Sequence, residues 1–122
     1  MGLKTLAIIS GTYDLLLGLP LLVAAPQVAS LFGAPSPVPL INAQLNGLFT
    51  STLALGYFWA ARDPEGRRGY FWAASVFAKG LGSILFILDH FRGGSPSSYL
   101  LFALTDGTLA LLMLALLLRP RH

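Results

Sequence analysis

The chain has 122 residues, of which 55% are hydrophobic and only 11% are charged, with a net charge of +3 and a mean hydropathy of +0.70. A soluble domain carries about 25% charged residues, so this composition excludes an ordinary soluble protein and indicates a membrane protein of one domain, residues 1–122. The basic residues stand singly or in small groups beside apolar stretches, which disfavours a nucleic-acid partner. The absence of cysteine excludes disulfides, thiolate metal sites and cysteine nucleophiles.

Four apolar stretches are long enough to cross a bilayer, which requires about 20 residues in a helix. They cover roughly residues 6–25, 40–61, 70–88 and 99–118, and prolines, glycines or charged residues separate them. The sequence therefore predicts an all-α fold, an integral membrane four-helix bundle.

The first stretch has an alternative interpretation as a cleaved signal peptide, because Lys4 and an apolar run are typical of such a segment. Asp14 in the middle of the run disfavours this interpretation. Pro26, directly after the candidate cleavage point, disfavours it as well. We therefore expect a retained helix.

A short helix is predicted between the first two spans. Pro26 stands where a helix begins and Gly33 where one ends, and Val28, Leu31 and Phe32 share one face at helical spacing. We expect this helix to lie in the outer membrane interface, over the bundle.

The distribution of lysine and arginine predicts the orientation of the four spans. Six basic residues fall on one side: Lys4, Arg62, Arg67, Arg68, Arg119 and Arg121. Only Arg92 falls on the other side. Positive charge marks the cytoplasmic side, so we predict a multi-pass protein of the inner, cytoplasmic membrane with both termini in the cytoplasm.

Three ionisable residues lie well inside the predicted spans: Asp14, Lys79 and Asp106. At a rise of about 1.5 Å per residue they lie roughly 14 to 20 Å from the cytoplasmic ends of their helices, near a common level at the midplane. Each costs about 2.5–3.5 kcal/mol to insert at a helix centre. We therefore expect all three to face inward, with Lys79 between the two aspartates.

Polar residues of the second span strengthen this expectation. Asn42, Asn46 and Thr50 recur every four residues and form a stripe that begins at the outer surface. The pattern predicts a cavity that opens toward the outer leaflet and has the charges at its base. The candidate ligand-binding residues are Asp14, Asn42, Asn46, Lys79 and Asp106.

A purely structural role for these residues is the alternative, since polar side chains also hold membrane helices together, at about 0.6–2 kcal/mol per contact. No catalytic motif and no metal site is recognised, and the sequence identifies no cofactor. A haem protein is disfavoured because only His90 is available as an axial ligand, while His122 is the last residue.

Two segments resemble a known family. They are residues 11–19, GTYDLLLGL, with Pro26 and the LFG of residues 31–33 behind them, and residues 56–64, GYFWAARDP. They resemble small four-helix bacterial membrane proteins of the DoxX-like kind, and the resemblance covers most of the chain in layout. It implies the four-helix fold. It also implies a possible accessory role, because some members are subunits of membrane oxidoreductases, but it implies no active-site residues.

The function favoured by the sequence is the binding of a lipid, quinone or other amphipathic small molecule in an intramembrane polar pocket, alone or as an accessory subunit. Two alternatives stay open. One is a proton-coupled small-molecule transporter that works as an oligomer. The other is a membrane enzyme of the isomerase type, with a carboxylate and an amine as acid and base. The expected partners are the lipid bilayer, the amphipathic molecule, and a second copy or another membrane subunit.

Overall fold

The computed structural model describes residues 1–119, which are helical throughout apart from short connections and contain no strand. Five helices follow one another: α1 (Leu3–Val23), α2 (Ala25–Leu31), α3 (Leu40–Ala61), α4 (Arg68–Phe91) and α5 (Leu100–Leu117). A 3-10 turn, Ser97–Tyr99, leads directly into α5. The all-α prediction is confirmed, while Arg121 and His122, named in the orientation and haem arguments, lie outside the described residues.

Among the described residues, three helices are long and apolar enough to cross a membrane. They are α1, α4 and the helix Ser97–Leu117, which is α5 with its preceding turn. Helix α3 has 22 residues but does not reach the same hydropathy. The reason is its polar side chains: Asn42, Gln44, Asn46, Thr50, Ser51 and Thr52. Membrane-spanning helices are thus supported, and the fourth crossing stays a prediction.

The short helix expected after the first span is present as α2. Pro26 lies in its first turn, where the missing N–H removes no helical hydrogen bond. Gly33 follows at φ +70°, a left-handed conformation that ends the helix and that other residues adopt only under strain. The position of α2 relative to a membrane surface stays a prediction.

Helices α1 and α3 form the closest pair because glycines let their backbones touch. A β-carbon on Gly47 would lie 2.5 Å from the backbone nitrogen of Leu22 and 2.7 Å from the carbonyl oxygen of Gly18. A β-carbon on Gly18 would lie 2.5 Å from the hydroxyl oxygen of Ser51. Small residues at helix crossings are the usual means of close packing in membranes.

Helices α4 and α5 form the second pair, and α1 also contacts α5. The hydroxyl of Ser83 donates a hydrogen bond of 2.7 Å to the carbonyl oxygen of Ala103, which ties the two helices together. Helix α3, by contrast, meets α4 mainly through the first turn of α4, Arg68–Phe71. Helices α3 and α4 are therefore close mainly near the turn of residues 62–67.

A core of buried side chains fills the end of the protein that contains this turn. We call it the packed half, and its buried residues are Leu3, Leu6, Ala7, Tyr57, Ala60, Ala61, Phe71, Ala74, Leu109, Met113 and Leu117. Tyr57 and Ser75 join α3 to α4 there through a buried hydrogen bond of 2.5 Å between their hydroxyls. Arg68 donates a hydrogen bond of 2.6 Å to the carbonyl oxygen of Leu117, which fixes the start of α4 to the end of α5.

Candidate functional site

Asp14, Lys79 and Asp106 meet between the helices, and each is supplied by a different helix. The ammonium group of Lys79 on α4 donates a hydrogen bond to Oδ1 of Asp14 on α1. The same ammonium lies 3.7 Å from Oδ1 of Asp106 on α5. Asp14 and Lys79 are only 3% and 7% exposed, and Asp106 is partly buried. The expectation that Lys79 lies between two inward-facing aspartates is confirmed.

A π-helical segment, Trp72–Lys79, determines where Lys79 points. A π-helix has i→i+5 hydrogen bonds, so it rotates the following side chains relative to an α-helix, and such segments are frequent at functional sites. Within this segment Ser75 faces Tyr57 in the packed half, while Lys79 reaches the two aspartates. Sequence reasoning missed this irregularity. The segment contains no proline, and the glycines that follow it, Gly80 and Gly82, do not identify a π-helix.

Two tyrosine rings complete the surroundings of the lysine. Its ammonium nitrogen lies 5.2 Å from the ring centre of Tyr13 and 5.7 Å from that of Tyr57, within the range of cation–π attraction. The hydroxyls of Tyr13 and Thr105 are 2.5 Å apart, which fixes the Tyr13 ring against α5. Lys79 is therefore held by a carboxylate and two rings at once.

One oxygen of the cluster is left without a hydrogen bond. Oδ2 of Asp14 is buried and has no partner, although Oδ1 of the same carboxylate binds Lys79. Buried carboxylate oxygens in proteins are normally hydrogen-bonded, since an unsatisfied one loses its hydration without replacement. This oxygen is therefore an unsatisfied acceptor, and as a fully buried atom it is not open to the cavity.

A cavity of about 440 Å³ adjoins the cluster and extends toward α2. Asp14, Lys79 and Asp106 line one part of it. Apolar residues of α2 and the following loop line another: Ala25, Val28, Ala29, Phe32, Pro35 and Pro37. Its volume lies in the range of about 300–1,000 Å³ that is typical of sites for small molecules.

Four aromatic rings that line the cavity pack against one another. Phe102 lies 4.9 Å from Phe32 and 5.4 Å from Phe86, measured between ring centres. Tyr99 lies 5.7 Å from Phe102 and 6.1 Å from Phe86. We call these four residues the ring cluster. The sequence did not indicate it, because its members come from three separated segments and only Tyr99 and Phe102 share a helix face.

The structure brings four of the five candidate ligand-binding residues to this cavity: Asp14, Asn46, Lys79 and Asp106. Asn42 does not line it and is exposed in the first turn of α3. The cavity-facing residues of α3 are Ala43, Asn46, Thr50 and Leu53, at helical spacings of three and four. The polar stripe predicted on this helix is thus present at two of its three positions.

Within residues 1–119, histidine, aspartate and glutamate form no group of three or more that could hold a metal ion. No family model matches the chain, and neither a curated protein nor a solved structure matches it. The resemblance to DoxX-like proteins stays a prediction.

Proposed function

We propose that this protein is a four-helix protein of the inner membrane whose cavity binds one amphipathic small molecule, such as a lipid or a quinone, alone or as an accessory subunit. The observation that carries the proposal is the cavity of about 440 Å³ with three charged side chains in one part and mostly apolar side chains in the rest. A ligand with a polar end and an apolar body would match this division.

The alternative of a purely structural ion pair accounts for less of the geometry. A pair that only joins helices needs no cavity beside it, yet Asp14, Lys79 and Asp106 all line one.

A fourth crossing by α3 is part of this proposal. Several of the polar groups that lower its hydropathy face the inside of the protein or bond to the backbone. Asn46 and Thr50 line the cavity, Ser51 is buried beside Gly18, and the hydroxyl of Thr52 donates to the carbonyl oxygen of Leu48. Polar side chains in such positions are compatible with a membrane helix.

The proposed orientation rests on charges that cluster at one end of the bundle. Lys4 begins α1, Arg62 ends α3, Arg67 and Arg68 begin α4, and Arg119 follows α5. In a four-span protein these positions share one side, and that side is the cytoplasmic one by the positive-inside rule.

Native mass spectrometry of the protein, released in a mild detergent from its own membrane, tests the binding proposal. We expect one bound molecule per chain. Two variants should lose it by different means: Asp14→Asn removes the charge at the polar end, and Ala43→Trp fills the space beside Asn46. Ala115→Trp is the matched control, because Ala115 is exposed on α5 and does not line the cavity.

Circular dichroism of each variant separates loss of the ligand from loss of the fold. Wild-type protein that carries no small molecule, or only a mixture of bulk lipids, would contradict the proposal. So would an adduct that survives in the correctly folded Ala43→Trp variant.

A further inference from the structure

We propose that the polar end of the ligand is positively charged, so that the cavity is a site for an amphipathic organic cation of the alkylammonium class. This inference rests on the proposed function and narrows it, because a lipid or quinone head could also be neutral or anionic. Three features support it: the charge balance of the lining residues, the carboxylate of Asp106 and the ring cluster.

The charges that line the cavity do not balance. The described lining residues include two carboxylates, Asp14 and Asp106, and one ammonium group, Lys79, which with all three ionised leaves one negative charge. Uncompensated charge is strongly unfavourable where water is scarce. A bound cation brings the sum to zero, whereas an anionic head would double the imbalance.

Asp106 supplies the acceptor that is left for a ligand. Its Oδ1 lies 3.7 Å from the ammonium nitrogen of Lys79, which exceeds the length of a hydrogen bond, and the residue lines the cavity. Lys79 itself donates to Asp14 and lies within cation–π distance of the rings of Tyr13 and Tyr57. Asp106 is therefore able to accept a donor from the ligand or to pair with its positive charge.

The ring cluster is placed to receive the cation. Phe102 precedes Asp106 by one turn of α5, and Phe86 follows Lys79 by about two turns of α4, so both rings lie on the α2 side of the charges. Aromatic faces attract organic cations, and aromatic rings with a nearby carboxylate are the usual surroundings of quaternary ammonium groups.

Three amphiphiles that share a ten-carbon chain test this inference on the full chain in a neutral maltoside detergent: decyltrimethylammonium, 1-decanol and decanoate. Isothermal titration calorimetry below their micellar concentrations measures each affinity. We expect decyltrimethylammonium to bind at one site and about tenfold or more tightly than the other two. Asp106→Asn should weaken it about tenfold, while Asp106→Glu should retain most of the affinity.

Asp106→Asn is a suitable variant because it leaves the bond between Lys79 and Asp14 in place. Asp89→Asn is the matched control, since Asp89 is exposed at the end of α4 and outside the cavity, and its binding should equal that of the wild type. Phe102→Leu should weaken the cation about three- to fivefold and leave decanol unaffected, because only the cation uses the ring face.

The other outcomes distinguish the two proposals. Preference for decanol would overturn the proposal of a cationic head, and it would mean that a proton balances the charge of the carboxylates. Preference for decanoate would also overturn it, and it would mean that Lys79 binds the head of the ligand. In both cases the binding function would stand. Absence of stoichiometric binding by all three, together with no bound molecule in the native protein, would overturn both proposals.

Discussion

The two ends of the protein are packed differently. In the packed half, α3 and α4 are held together by the turn of residues 62–67, and large side chains such as Tyr57, Phe71 and Met113 are completely buried. Toward α2 the same helices separate, and a cavity takes the place of the core. The short turn of residues 62–67 joins α3 directly to α4 at the packed end, whereas at the other end each of these helices is connected to a different helix.

The two halves also differ in how their polar groups are paired. Tyr57 and Ser75 satisfy each other in the packed half through one buried hydrogen bond. Beside the cavity, Asp14 keeps an oxygen without a partner and Asp106 lies beyond hydrogen-bonding distance of Lys79. Asp106 thus retains capacity for a ligand beside the cavity, although unpartnered buried hydroxyls also occur away from it, at Ser10 and Ser51. Substitutions in the two halves test this difference in packing and pairing.

The largest effect is expected from Lys79→Met. It leaves Asp14 and Asp106 buried without their ammonium partner, and breaking a buried pair in this way destabilises by about 3–5 kcal/mol. Unfolding in mixed micelles, followed by circular dichroism, measures the loss. Lys4→Met is the matched control and should change stability by less than about 0.5 kcal/mol, because Lys4 is exposed.

Neutralising all three charged residues tests whether the instability of Lys79→Met comes from unpaired charge. The triple variant Asp14→Asn, Lys79→Met, Asp106→Asn should recover most of the lost stability, since neutral groups replace buried ion pairs at little cost. It should nevertheless bind no amphiphile. A triple variant as unstable as Lys79→Met would mean that the charges are required for folding, and the comparison of the two halves would lose its functional meaning.

A matched pair of phenylalanines gives the next effect. Phe71→Ala in the packed half leaves a hole, and because lipid is as apolar as the core, the cavity term dominates the cost. At about 24 cal/mol per Å³ and roughly 100 Å³ of lost side chain this is about 2 kcal/mol. Phe102→Ala enlarges a space that already exists, so it should cost less than about 1 kcal/mol. Equal losses in the same unfolding assay would mean that the cavity half is as tightly packed as the other.

The sequence predicted much of this arrangement because the membrane imposes strong rules. Apolar length and helix-ending residues located α1, α4 and α5, and Pro26 and Gly33 located α2 between them. The cost of burying Asp14, Lys79 and Asp106 predicted that they would meet. For these features one-dimensional patterns suffice, since each follows from local composition or from depth along a helix.

The remaining features depend on three-dimensional packing. The π-helical segment before Lys79 and the ring cluster arise from how four helices fit together, and no local pattern encodes them. The position of Asn42 outside the cavity has the same origin. Its spacing to Asn46 is helical, but the cavity begins one residue later, at Ala43, where α2 and its loop meet α3.

The smallest expected effect is the difference in stability loss between removing the hydroxyl of Tyr57 and removing that of Tyr13. Tyr57→Phe leaves the buried hydroxyl of Ser75 without its partner and should cost about 1 kcal/mol. Tyr13→Phe beside the cavity should cost about 0.5 kcal/mol or less, because the hydroxyl of Thr105 keeps its bond to the carbonyl oxygen of Leu101. The double variant Tyr57→Phe, Ser75→Ala, which removes both hydroxyls, should recover part of the loss in the same assay. If Tyr13→Phe costs more than Tyr57→Phe, the polar groups beside the cavity are as completely paired as those of the core, and they have no spare capacity for a ligand.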